Sequence, residues 1–121
     1  MSAATWIGVA ILGSVGSIAR FILDGAVSSR ISSNYPLGTL AVNASGALIL
    51  GLLAGLALSG EALLLAGTAT IGSYTTFSTW MFETHRLGED GELVGVALNV
   101  VASVILGFGA AALGKWIGGV L

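Results

Sequence analysis

The four basic and six acidic residues of this 121-residue chain fall so that four long runs carry no charge: Met1–Ala19, Ile31–Gly60, Ala62–Phe82 and Leu93–Gly114. Each can supply the roughly 17–25 residues that carry a helix across a bilayer. A chain made of such runs has few folds open to it. In hydrocarbon every backbone amide and carbonyl must be satisfied within the protein, and a helix does this segment by segment. The sequence therefore predicts an all-α membrane protein, a single domain over 1–121 with four transmembrane helices at about 4–27, 37–59, 62–86 and 92–116.

Composition agrees, and it excludes several functions. The chain is 55% hydrophobic and only 8% charged, with a mean hydropathy of +0.99, against about 25% charged residues in a soluble domain. A signal peptide is the weaker reading of the N-terminus, because no basic region precedes the first apolar run and no small-residue cleavage pattern follows Arg20. The absence of cysteine removes disulfides and thiol chemistry. No basic cluster suggests nucleic acid. No Ser/His/Asp set, metal-ligand cluster or phosphate loop is present, so the chain does not read as an enzyme. His85, Glu89, Asp90 and Glu92 read as a solvated loop between the third and fourth helices. The pairs Gly51/Gly55 and Gly107/Ala111 predict close helix packing, as small interfacial residues permit in lipid.

Four crossings put the termini and the 59–61 turn on one side, with only Lys115, and the 28–36 and 86–92 loops on the other, with Arg30 and Arg86. Orientation follows the excess of Lys and Arg, and here that excess is small. Insertion in either direction, and hence an antiparallel homodimer, is compatible with this balance.

The third run is the unusual one. Gly72-Ser73-Tyr74-Thr75-Thr76-Phe77-Ser78-Thr79 is rich in hydroxyls yet lies in the middle of an uncharged segment. Backbone at membrane depth departs from helix only where protein buries it or it lines a polar cavity, and broken helices at the midplane commonly build ion sites. Asn43 lies about two turns into the second helix, where an unsatisfied amide is costly. It reads equally as a donor to an anion or as glue between helices. Asn99, Ser103 and Gly107 recur four apart on one face of the last helix, a stripe that suits either an aqueous path or helix packing. Arg20, the one cation well inside a predicted span, reads as a structural anchor with Asp24 as its partner one turn on.

Three segments together resemble the small bacterial fluoride channels of the Fluc/CrcB family: Gly16-Ser17-Ile18-Ala19-Arg20, Pro36-Leu37-Gly38-Thr39-Leu40-Ala41-Val42-Asn43-Ala44-Ser45-Gly46, and Gly72–Thr79 with Glu83. Their order and spacing extend the resemblance over essentially the whole chain. It implies a dual-topology antiparallel dimer in a bacterial or archaeal cell membrane, with two fluoride pores lined by both subunits and a passive export that confers fluoride resistance. It also implies a structural sodium ion on the dimer axis, held by the backbone carbonyls of Gly72 and Thr75. By the same resemblance the pore residues are Asn43, Phe77, Ser78, Thr79, Trp80 and Ser103. Trp80 stands where the family carries its second phenylalanine, which raises the alternative of a subunit that conducts only with a paralogous partner, or not at all. A small multidrug exporter, also four helices long, fits poorly: it needs a titratable carboxylate within the membrane, and no acid lies in the apolar part of the first helix.

Overall fold

The computed structural model describes residues 1–121. Helix α1 (Ala3–Arg30) is capped by Ser2, whose hydroxyl accepts from the Thr5 amide at 3.2 Å. It ends where Ile31 turns extended, with Arg30 in the last turn favourably placed against the helix dipole. Helix α2 (Leu37–Gly55) follows Pro36, whose missing N–H is no loss at a helix start. It closes four residues before the expected 59, because Ala57 takes the left-handed conformation (φ 58°). Helix α6 (Leu93–Val120) runs four residues beyond the expected end.

Between α2 and α6 the chain is helical but discontinuous. Helix α3 (Gly60–Leu63) passes into a π-helix over Leu64–Ile71, then α4 (Gly72–Tyr74), three non-helical residues, and α5 (Ser78–Glu89). The wider π turn, with i→i+5 bonds, is supported by Thr70, whose hydroxyl donates to the Leu65 carbonyl at 2.7 Å. Three helices, α1, α2 and α6, are long and apolar enough to cross a membrane. The third segment is not counted among them because its helix is divided. Its break lies at Thr75–Phe77 rather than at Gly72, whose φ and ψ of −60° and −36° are ordinary right-handed helix.

The segments alternate in direction. Thr5 donates to the Glu61 carboxylate at one end, and the Tyr35 hydroxyl donates to the Leu98 carbonyl near the other, at 3.2 Å. Helix α2 is the centre of the bundle, holding buried Gly38, Thr39, Val42, Gly46 and Gly51. It packs most extensively on α6, and the contact is backbone to backbone. A Cβ at Gly51 would strike the Ala111 carbonyl, and one at Gly114 would strike that of Leu48. Gly55 and Gly118 repeat the pattern one turn on. Gly107, expected in such a seam, has open space around it. Helix α1 closes on the other side of the break, where Gly16 leaves no room for a Cβ against Ser73 and the Thr70 carbonyl. Large apolar side chains point outward, among them Phe21, Trp6 and Phe108, at 80%, 61% and 76% exposure. Around a bundle of apolar helices that surface is the one a bilayer solvates, and the protein is an integral membrane protein.

Candidate ion pathway at the broken helix

A helix that stops at Tyr74 and restarts at Ser78 leaves amides and carbonyls without intrahelical partners. Side chains take over the amides. The Thr76 amide, which would have bonded the Gly72 carbonyl, donates instead to Asn43 Oδ1 at 2.9 Å. Asn43 Nδ2 donates back to the Thr76 carbonyl, also at 2.9 Å. The Thr79 amide, which would have reached the Thr75 carbonyl, donates to Thr76 Oγ1 at 3.2 Å. The carbonyls of Gly72 and Thr75 consequently receive no backbone amide. Ser45 and Tyr74 share a hydroxyl–hydroxyl bond of 2.8 Å that ties α2 to the end of α4. A Cβ at Gly46 would collide with the Thr75 methyl, so this glycine lets the break lie directly on α2.

Asn43 thus has both ends of its amide on Thr76, which is the helix-linking role. One N–H of its NH₂ remains for a second acceptor. It lines two open cavities. The first, about 570 Å³, lies along the break and includes Gly72, Thr75, Thr76, Phe77 and Trp80. The second, about 310 Å³, lies against α6 and includes Trp80, Ser103, Gly107 and Phe108. Phe77 is 70% exposed and meets Trp80 edge to face, with centroids 5.8 Å apart at 83°. Ser78 is exposed, within 3.4 Å of the Thr76 hydroxyl, and lines neither cavity.

Thr79 belongs elsewhere. With Arg20, Asp24, Thr39 and Thr76 it lines a third cavity, about 360 Å³, lying between α1, α2 and the break. Arg20 and Asp24 share this cavity but form no ion pair; the one bridge in the chain joins His85 to Glu89 at 3.2 Å. Asp24 accepts instead from Ser28, at 3.3 Å, because the i,i+4 spacing alone does not aim the guanidinium at it. His85 lies within α5 rather than in a loop, and is well exposed. Sequence reasoning passed over Thr39, which is 3% exposed with its hydroxyl unpartnered. Its position one turn before Asn43 on the same helix face was the available signal. Thr76, whose main-chain amide donates to Asn43 and whose carbonyl accepts from it, was not singled out either, since both bonds use the backbone and no side-chain type marks them.

The stripe on α6 divides by role. Asn99 is buried and bonded to α5, whereas Ser103 and Gly107 face the second cavity.

Residues 7–115 match the family described as CrcB-like protein, Camphor Resistance (CrcB). The chain belongs to the CrcB family. It is 61% identical over 112 residues to the fluoride-specific ion channel FluC 2 of Mycolicibacterium paratuberculosis, a match covering 93% of this chain and 92% of the relative. It is 55% identical over 117 residues to the fluoride-specific ion channel FluC 2 of Mycobacterium tuberculosis, covering 97% and 93%. A more distant CrcB relative, the fluoride-specific ion channel FluC 1 of Leifsonia xyli, is 43% identical over 117 residues, covering 93% and 85%. These CrcB relatives are named as ion channels and not as enzymes.

Proposed function

We propose that this chain is a fluoride channel subunit that lets fluoride leave the cell passively, down its electrochemical gradient. The similarity to fluoride-specific channels supplies the ion. The structural observation that carries the reading is the pair of carbonyls, on Gly72 and Thr75, left without amides along an open face of the molecule.

In this reading the divided third segment is a fourth membrane crossing, running from Gly60 to Glu89. Two copies associate antiparallel through the face that carries the break, consistent with the weak charge asymmetry of the loops. A twofold axis presents each carbonyl twice. Gly72 and Thr75 of both subunits then offer neutral oxygens of the kind that unwound backbone gives to sodium in membrane proteins. The donor set fits: the two carbonyls are free and the cavity beside them is open. The ion's contribution is charge that holds the two breaks together.

Each fluoride path runs past Asn43. A small anion surrenders much hydration on entry, and the path must replace water with donors without trapping the ion. The second N–H of Asn43 supplies such a donor, and the Ser103 hydroxyl extends the polar lining on the α6 side, while Thr79 offers its hydroxyl to the separate cavity beside Arg20. The positive ring edges of Phe77 and Trp80 face an anion favourably. Arg20 serves as a structural anchor in the wall of the cavity that it shares with Asp24.

Fluoride and chloride efflux from liposomes that contain only this purified chain test the reading. Fast efflux of fluoride with little of chloride is the expected result. A folded dimer that releases neither ion would overturn self-sufficient conduction and direct attention to a paralogous partner subunit.

A further inference from the structure

Asn43 and Trp80 are the two residues that line both the cavity along the break and the cavity against α6. Whatever the indole does therefore governs how those two spaces communicate. The indole is not free. Its Nε1–H donates to the main-chain carbonyl of Asn99 at 3.0 Å. The Asn99 side chain in turn donates through Nδ2 to Thr84 Oγ1 at 2.7 Å, and Thr84 Oγ1 donates to the Trp80 carbonyl at 2.8 Å. The three residues close a ring of hydrogen bonds between α5 and α6, around an Asn99 that is 1% exposed. Asn99 grips α5 with its side-chain amide and receives the indole on its main-chain carbonyl, so the side chain acts by setting where that carbonyl stands.

We infer that Asn99, registered by Thr84, is the positioning residue that holds the Trp80 indole in one orientation on the partition between the two cavities. A released indole would be free to swing into either space. The clasp prevents this. It also commits the only polar atom of the ring, so the indole presents C–H edges, not a competing N–H donor, towards the path past Asn43. The consequence for conduction rests on the channel reading above; the pinning of the ring does not.

The test uses the full chain in liposomes with Trp6→Phe and Trp116→Phe, two exposed positions away from the cavities, so that Trp80 is the sole indole. Thr84→Val removes the hydroxyl with little change of shape, and Asn99→Ala removes the amide more drastically. Each is expected to lower the anisotropy of Trp80 emission and to raise its quenching by acrylamide. The expected size is about a fivefold shift between held and released indole, which one neutral hydrogen bond supports. Fluoride efflux should fall with it. In a Trp80→Phe background, Thr84→Val should leave efflux unchanged, since no large ring remains to be released. Unchanged emission in a folded Thr84→Val protein would overturn the inference. So would an equal loss of efflux in both backgrounds, which is what ordinary helix glue gives. Failure of the parent chain to pass fluoride overturns the channel reading instead, while the emission data still decide whether the ring is held.

Discussion

The seam between α2 and α6 and the break in the third segment are built from opposite materials. In the seam, Gly51 and Gly55 of α2 lie against the carbonyls of Ala111 and Lys115, and Gly114 and Gly118 of α6 against those of Leu48 and Leu52, so backbone fills the space of absent side chains. No side-chain hydrogen bond is needed there, because both helices satisfy their own backbones. Around the break, the backbone is not self-sufficient, and Asn43, Thr76 and the Ser45–Tyr74 pair replace what the helix gave up. The seam gains stability from dispersion between close backbones, the main attraction left where lipid is as apolar as the protein. The break gives up helical bonds and leaves carbonyls, those of Gly72 and Thr75 among them, without amides. A membrane protein of this size thus concentrates rigidity in one helix pair and polar chemistry in one interruption, with α2 common to both.

The largest effect should come from loading the seam. Gly114→Val puts a branched side chain onto the Leu48 carbonyl and is expected to cost about 3 kcal/mol, the upper part of the usual range for overpacking. Thermal unfolding in detergent measures it; near-normal melting would mean that the seam yields and is not the rigid element. Asn43→Ala comes next, at about 2 kcal/mol for a buried amide and carbonyl left unmatched. Its signature differs from that of the seam: fluoride efflux should fall at least about tenfold, more than the stability loss predicts, because the clasp also carries the free donor. Efflux and dimer content falling in proportion would reduce Asn43 to glue.

Gly72→Ala sharpens the contrast at a smaller scale. Gly72 is helical, and the nearest atom to a Cβ there is the Gly67 carbonyl at 4.0 Å. The chain's own fold should therefore tolerate alanine, with a change within about 1 kcal/mol and in the stabilising direction. Chemical denaturation of the detergent-solubilised protein checks this. If the bundle keeps its stability but the dimer dissociates, the methyl meets a second subunit and not this one. Smallest of all, Gly107→Ala should shift stability by no more than about 0.5 kcal/mol, since the glycine stands outside the seam with nothing within 4 Å. A large loss in a melting experiment would place Gly107 in a packed interface after all.

Much of this organisation was legible before any coordinates. The spacing of ten scattered charges announced the helical segments, because hydrocarbon accepts little else, and the hydroxyl run 72–79 announced a discontinuity. The ends of the helices were less legible. Ala57 stops α2 by a left-handed turn that no glycine or proline advertises, and the π-helix before the break rests on hydroxyl-to-carbonyl bonds that hydropathy does not register. The rupture falls at Thr75–Phe77 within the hydroxyl run, and its exact place was not legible because it depends on Asn43 capturing the Thr76 amide.

What the sequence determined by itself was therefore the environment, the helical character of the segments, the family and the presence of an interruption. These follow from composition, charge spacing and local motif, which act over one or two helical turns. Tertiary structure decided the pairings: Asn43 with Thr76, Asn99 with both Trp80 and Thr84, Gly51 with Ala111, and Arg20 apart from Asp24. Partner choice among polar groups depends on separations of a few tenths of an ångström across elements distant in the chain. A sequence offers several such partners to each group, and only packing selects one.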